Sequence, residues 1–178
     1  MKFNLFMLFL SLVFSTQAQI PSWLSADPTN SKLVYITGLT EHNQTGTELP
    51  TTIKIELIAA EKLTYSMNTF DDHGHFEFFL RPDGLYHITF QKPGYLSKKL
   101  EVVTGNVPDD QWDLGFVLDL TVSMEESLPN FSSALQEEPF ARCMYSGKSE
   151  RIEFDKSYGK QQRAKWDAER QRCLTSQP

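Results

Sequence analysis

The chain has 178 residues, of which 40% are hydrophobic and 22% charged, and its formal net charge is −6. The charge is uneven: residues 19–136 contain 16 acidic and 7 basic residues (net −9), whereas residues 137–178 contain 7 and 9 (net +2). This distribution argues against a nucleic-acid-binding protein, which presents a concentrated basic face, and it favours a tail that folds back on an acidic body.

The amino-terminal segment has the pattern of a secretory signal peptide. Lys2 precedes an apolar run over residues 3–14, and Thr16 and Ala18 occupy the −3 and −1 positions of a small-residue cleavage site. The run is shorter than the ~20 residues that span a bilayer, and no second apolar stretch follows. We therefore expect a signal peptide over residues 1–18, export to the periplasm or the exterior without a transmembrane segment, and a lead-in over residues 19–31.

Short segments with a period of two fill residues 32–123. In TIKIEL, for example, the apolar side chains face one way while Lys54 and Glu56 face the other. Turn residues such as Pro93-Gly94 separate the segments. The segments are KLVYITGL, TIKIEL, LTYSMNT, FEFFL, LYHITF, LSKKLEVV and LGFVLDLTV. No helical period interrupts them, so the sequence predicts an all-β sandwich of seven strands.

The stretch DDHGH at residues 71–75 is compatible with a metal site, an acid–base pair or a polar turn. Strand parity makes both His75 and His87 point outward. If their strands form a hairpin, the two histidines lie about 13 Å apart. If the strands lie in opposite sheets, the histidines face away from each other across a core of ~10 Å. Neither arrangement lets them share a metal, and we interpret DDHGH as a turn.

Motifs that carry chemistry are absent from the sequence. The chain contains no G-x-S-x-G, no H-E-x-x-H, no phosphate-binding glycine loop and no C-x-x-C. We therefore expect a protein that is not an enzyme, with no catalytic residues, no metal and no cofactor.

The loop NVPDDQWDLG places an aromatic ring among planar hydrogen-bond acceptors. Trp112 is flanked by Asp110, Gln111 and Asp113, a combination that suits sugar binding. These four residues are therefore candidate ligand-binding residues, and carbohydrate binding is an alternative function. The other interpretation is that Trp112 covers an open end of the sandwich.

After residue 123 the pattern changes. Residues 124–139 have the composition of a polar linker, and residues 140–178 predict a hairpin and a helix as an appendage to the sandwich. The hairpin would turn at Gly147-Lys148, and Asp155 or Ser157 would cap the helix.

The tail holds both cysteines, Cys143 and Cys173. An even number of cysteines in an exported protein favours a disulfide bond between them, with two buried free thiols as the alternative. The tail contains no histidine that would complete a metal site.

Basic side chains form a stripe along the predicted helix. Lys156, Lys160, Arg163 and Arg170 share one narrow sector at 3.6 residues per turn, while Trp166 lies on another side. We expect the stripe either to meet an envelope protein or an anionic polysaccharide, or to be a solvated face behind a Trp166 that packs on the sandwich.

The stretch TFDDHGHFEFFLRPDGLYHITFQKPGYLSKKLEV resembles the carboxypeptidase regulatory-like family, in its Asp-rich turn, its Phe-x-Phe and its Lys-Pro-Gly-Tyr. The resemblance spans residues 34–122. It implies a seven-stranded Greek-key sandwich of the transthyretin-like type that acts as a non-catalytic accessory domain, in bacteria often on outer-membrane and periplasmic proteins. We therefore expect a binding or scaffolding module of a bacterial cell envelope.

Overall fold

The computed structural model describes Leu24 and residues 32–58, 63–69, 72–112 and 115–176. The predicted signal peptide, Asp71 and Asp113 lie outside these residues. Within them, neither helix combines the length and the apolar character needed to cross a bilayer.

Two sheets form the body of the molecule. The small sheet has the strand order β4-β1-β7 and consists of β1 (Val34–His42), β4 (His75–Leu80) and β7 (Phe116–Met124). The large sheet has the order β3-β2-β5-β6-β8-β9 and consists of β2 (Thr52–Leu57), β3 (Leu63–Asn68), β5 (Leu85–Gln91), β6 (Lys98–Val103), β8 (Ala141–Ser146) and β9 (Arg151–Phe154). Most neighbouring strands are antiparallel, but β1 pairs with β7 and β6 pairs with β8 in parallel.

The alternation of side chains explains why the two sheets pack face to face. Phe76 and Phe78 of the small sheet are buried in one cluster with Ile88 and Phe90 of the large sheet, while polar residues alternate with them. The rings of Phe76 and Phe90 meet across the interface with 5.3 Å between centroids. The prediction of an all-β sandwich is confirmed.

The described part of DDHGH, residues 72–75, makes a turn that leads into β4. Gly74 has φ of 78°, and a Cβ at this position would lie 2.6 Å from the carbonyl oxygen of Leu49. Only glycine fits such a position, because both the backbone conformation and the space exclude a side chain. His75 points outward as expected, and His87 lies in the opposite sheet, where it contacts Glu101 at 3.1 Å.

Two helices follow the sandwich strands. Helix α1 (Ser133–Glu137) lies in the segment predicted to be a linker, and helix α2 (Lys156–Thr175) begins after Asp155, whose carboxylate accepts a hydrogen bond of 2.9 Å from the amide of Tyr158. The linker prediction missed α1 because the helix is a single short turn. It is stabilised by burial of Leu135 against α2 rather than by its own length.

The hairpin β8–β9 is part of the large sheet and not a separate appendage. Strand β8 pairs with β6 along Leu100 to Val103, and Cys143 and Ile152 belong to the main core. Helix α2 packs through a second cluster of buried residues, which consists of Leu96, Phe131, Leu135, Trp166 and Cys173. The tail thus shares the core of the body.

Candidate functional site

A cleft of about 840 Å³ opens where the two sheets diverge beside α2. Its walls are the second half of β7, the start of β6, Phe154 at the end of β9, and one side of α2. At the other end of the same seam, Val117 of β7 and Ile152 of β9 line a smaller cavity. The cleft therefore exists because the six-stranded sheet extends past the edge of the three-stranded one, and α2 closes only part of the gap.

Helix α2 supplies a cationic wall. Lys156, Lys160 and Arg163 all line the cleft, are exposed, and have no carboxylate partner in the part of the chain that the structure describes. Their spacing of four and three residues places them on one helical face. Three of the four residues of the predicted basic stripe therefore line a cavity with their charges unpaired.

The fourth residue of the stripe, Arg170, has a structural role instead. Its guanidinium binds the carboxylate of Glu125, with Nε 3.1 Å from Oε2, and it also binds Asp167 at 2.6 Å. Glu125 accepts a second cation, the ammonium group of Lys98, at 3.1 Å. This cluster connects α2 to the end of β7 and to β6.

Lys98 is a residue of the candidate site that the sequence analysis did not identify. Its ammonium group donates to the carbonyl oxygen of Ser123 and lies 4.7 Å from the centroid of the Phe140 ring and 5.7 Å from that of Trp166. The burial of Lys98 was predictable from the sequence, because Lys98 alternates with Leu100 and Val102 on the face that strand periodicity assigns to the core. A lysine at such a position requires a buried partner.

The charges of this cluster have shifted pKa values. Burial lowers the pKa of Lys98, although the carboxylate of Glu125 acts in the opposite direction. Burial alone would raise the pKa of Glu125, but Lys98 and Arg170 outweigh it and hold that pKa below its ordinary value. Glu125 is therefore an anion at neutral pH and serves to bind two cations.

Between polar residues such as Asn43, Thr121 and Ser123, the cleft has an apolar lining. Phe154 at the end of β9 lines the cleft and is 44% exposed. The other apolar side chains that line the cleft are Phe90, Leu100, Leu120, Val122, Phe140, Ala141 and Trp166. Trp166 is only 1% exposed, and its indole N–H has no hydrogen-bond acceptor within the described ranges. Such an orphaned donor is costly in a native protein.

The predicted sugar site around Trp112 is corrected by the structure. Trp112 is 1% exposed and belongs to the main core, where its ring meets that of Phe116 edge-on at 5.2 Å. A ring in this position cannot stack on a sugar. Asp110 and Gln111 remain near the surface within a short 3-10 helix (Asp109–Gln111), and Asp113 lies outside the described residues.

The predicted disulfide is also corrected. Both cysteines are free and buried. Cys143 projects from β8 into the main core, whereas Cys173 lies in the second cluster beneath α2, so that the two thiols occupy separate clusters. The structure therefore shows the alternative of two buried free thiols.

The histidines of DDHGH do not converge on a shared point. The rings of His73 and His75 are 6.4 Å apart, and Nδ1 of His73 lies 2.8 Å from a carboxylate oxygen of Glu48. Across the described ranges, no group of three or more His, Cys, Asp or Glu residues is arranged to hold a metal ion.

No family model and no curated protein matches this chain. Among solved structures, it is similar to 3-chlorocatechol 1,2-dioxygenase from Rhodococcus opacus 1CP, at a TM-score of 0.39 and 11% identity, over 59% of this chain and 64% of that one. It is also similar to the dioxygenase domain of a dioxygenase–carbohydrate-binding protein fusion from Streptomyces sp. SirexAA-E, at a TM-score of 0.36 and 13% identity, over 56% and 84%.

A third similar structure is a 9R-lipoxygenase from Cyanothece PCC8801, at a TM-score of 0.33 and 13% identity, over 66% of this chain and 22% of that one. The chain thus spans less than two thirds of the length of the chlorocatechol dioxygenase. Structural similarities at TM-scores this low support no conclusion about the fold or the function of this chain. The resemblance to the carboxypeptidase regulatory-like family stays a prediction.

Proposed function

We propose that this protein is a non-catalytic binding or scaffolding module that is exported to a bacterial cell envelope and holds an anionic partner in the cleft beside α2. Its body would be a seven-stranded Greek-key sandwich of the transthyretin-like type, as the resemblance to the carboxypeptidase regulatory-like family implies, widened by β8 and β9. The observation that carries the proposal is the row of unpaired cations, Lys156, Lys160 and Arg163, along an apolar cleft.

The row formed by Lys156, Lys160 and Arg163 does not contribute to the stability of α2. Like charges three or four residues apart on a helix destabilise it by about 0.2–0.5 kcal/mol per pair. The body of the protein is acidic, yet the described carboxylates do not pair with these three side chains. An anionic partner would relieve the repulsion, and the charge would also accelerate its association.

The carboxylates of the cleft already have structural partners, which favours binding over catalysis. Glu125 and Asp167 are held by Arg170, and Asp155 caps α2. None of them is paired with a nucleophile in the way that acid–base or covalent catalysis requires. The alternative of carbohydrate binding at Trp112 loses its support because that ring is buried.

The proposal is tested by photocrosslinking in bacterial cells that export the protein. A benzophenone amino acid replaces Phe154 in the cleft, and in a parallel strain it replaces Leu63, an exposed apolar residue of β3. We expect adducts from position 154 that disappear in the Lys160→Glu/Arg163→Glu double variant.

The matched control is Lys148→Glu/Arg151→Glu, which changes the charge equally at exposed positions outside the cleft. Adducts from position 154 should persist in this variant. Equal adducts from positions 154 and 63, or adducts that survive reversal of the cleft charges, would show that the cleft is not the binding site.

A further inference from the structure

We infer that the ligand of the cleft is a single-chain anionic amphiphile, whose charged head contacts α2 and whose apolar chain lies against the strands. This inference rests on the proposed function and names the class of ligand. It is argued from the distribution of charge, the exposed apolar surface and one unsatisfied donor.

The cleft is chemically two-sided. Its unpaired cations Lys156, Lys160 and Arg163 all belong to α2, whereas β7 contributes the apolar Leu120 and Val122 together with the uncharged Thr121 and Ser123. Lys160 and Arg163 are three residues apart, so a single carboxylate or phosphate can bind both. A ligand that matches these walls is anionic at one side and apolar at the other.

A simple inorganic anion would leave most of this surface unused. Phe154 is 44% exposed, and Phe140 and Trp166 continue the apolar wall behind the ammonium group of Lys98. An apolar chain that covers Phe154 removes this surface from water, which is the favourable term in burying an apolar ligand. The exposed ring therefore selects an organic anion over phosphate or sulfate.

Trp166 supplies a second, independent indication of a ligand. Its side chain lines the cleft, it is 1% exposed, and its indole N–H has no acceptor among the described residues. A buried donor without a partner is rare and is satisfied when an acceptor arrives. An oxygen of the ligand head provides that acceptor.

The size of the cleft favours a small molecule over a polymer. A volume of about 840 Å³ lies within the range of about 300–1,000 Å³ that is usual for small-molecule sites. Lys156 and Arg163 are seven positions apart along α2, or roughly 10 Å at 1.5 Å per residue, which is the dimension of one ligand and not of a chain of repeating units.

The test is a calorimetric titration of the purified mature protein with dodecanoate, below the concentration at which it forms micelles. Dodecyl maltoside has the same chain without a charge, butyrate has the charge without the chain, and inorganic phosphate is a bare anion. We expect dodecanoate to bind about tenfold or more tightly than each of these, since charge-assisted hydrogen bonds and chain burial both contribute. Dodecyl phosphate should bind comparably, because the headgroup chemistry is shared.

Variants locate the site. The Lys160→Glu/Arg163→Glu variant should bind dodecanoate with an affinity lower by about tenfold or more. Phe154→Ser should lower this affinity severalfold, and Lys148→Glu/Arg151→Glu should leave it unchanged. In the unmodified protein, the indole N–H resonance of Trp166 should shift with dodecanoate and not with butyrate. Circular dichroism of each variant shows that it is folded.

Other outcomes overturn the inference in distinguishable ways. If dodecyl maltoside binds as tightly as dodecanoate, the cleft is an apolar patch. If inorganic phosphate binds as tightly as dodecanoate, it is a simple anion site. If the protein binds only to phosphatidylglycerol vesicles, the surface is one that binds membranes. If no amphiphile binds while the crosslinks from position 154 still depend on Lys160 and Arg163, the inference fails and the proposed function stands. If no amphiphile binds and the crosslinks do not depend on Lys160 and Arg163, the inference and the proposed function both fail.

Discussion

Cys143 is a thiol that the fold keeps unreactive. It projects into the main core with no exposed surface, and burial raises its pKa to about 12. Because the thiolate is the reactive species, Cys143 is chemically inert at neutral pH. Cys173 is also buried, beneath α2. Neither residue is placed to act as a redox centre.

We therefore predict two free thiols that are protected in the folded protein. Iodoacetamide at pH 8 should modify Cys143 about a thousandfold more slowly than a free thiol, given a pKa of about 12 against about 8.5 for free cysteine. After unfolding without reductant, intact mass should show two added groups. The Cys173→Ser variant should retain the protection of Cys143. A mass about 2 Da below the reduced value, with no alkylation after unfolding, would show a disulfide instead.

The sequence predicts that Lys98 is buried, but it does not predict the partner of Lys98 or the state of the two cysteines. Lys98 alternates with core residues, so parity shows that it must be buried. Its partner Glu125 lies 27 positions away, at the end of β7, and no local pattern connects the two. The even number of cysteines and the expected export of the protein favoured a disulfide bond. Whether the two thiols meet depends on the cluster in which each is buried, and the packing of α2 determines this for Cys173.

At the scale of elements, α2 has two faces with different tasks. One face buries Gln162, Trp166 and Cys173, and the rings of Phe131 and Phe140 lie 5.1 and 5.2 Å from that of Trp166. The other face carries the cations of the cleft. Between the two faces, Arg170 binds Glu125 and thereby sets the position of the helix relative to β7.

We predict that Glu125→Gln destabilises the protein by about 2–3 kcal/mol at pH 7, because Lys98 and Arg170 then lose a shared, largely buried anion. The folded-state pKa of Glu125 is below that of the unfolded chain. Its contribution is therefore complete above the unfolded value of 4.5 and is lost as the pH falls through the folded value. Urea unfolding from pH 7 to 3 should show a smaller loss of stability in the variant than in the unmodified protein, because Glu137, Glu138 and Glu169, whose pKa values are also lowered, remain in both.

The neighbouring residue offers a matched control. Glu126 has a side chain that is 74% exposed and contacts His42 at 3.6 Å. Glu126→Gln should change stability by less than about 0.5 kcal/mol, as for an exposed ion pair. If both variants lose the same stability, the cluster around Glu125 does not hold α2 in place.

The elements divide into those that local sequence encodes and those that it does not. Helix α2 has a clear cap at Asp155, and the strands from β1 to β7 have clear alternation, so their positions agree with the prediction. Helix α1 and the parallel pairing of β8 with β6 depend on contacts distant in sequence. The cleft is lined by Ala141 of β8 and depends on that pairing, so it was not predictable, although the four residues of the basic stripe that line it were singled out.

At the scale of the whole molecule, the unequal width of the two sheets determines the architecture. The large sheet has six strands in the described residues and the small sheet three, so the edge of β7 faces β9 and α2 with no further strand beside it. Cys143 and Ile152 of the tail fill the same core as Leu100 and Val102 of the body. The body and the tail are therefore one cooperative unit, and the cleft is the seam between them.

This architecture predicts that the tail and the body unfold together. The amides of β8 and those of β6 should exchange hydrogen with the same free energy of opening, because each strand satisfies the backbone of the other. A chain that ends at Pro139 should lose several kcal/mol, since each buried aliphatic side chain contributes about 1.5–3 kcal/mol, and it should no longer unfold in a single sharp transition. Hydrogen exchange followed by mass spectrometry of peptides from the two strands measures the first quantity, and urea unfolding of the shortened chain measures the second. Faster exchange over Ala141–Ser146 with full protection of Lys98–Val103, together with a stable shortened chain, would show that the tail is a separate subdomain and that the cleft lies between two independently folding parts.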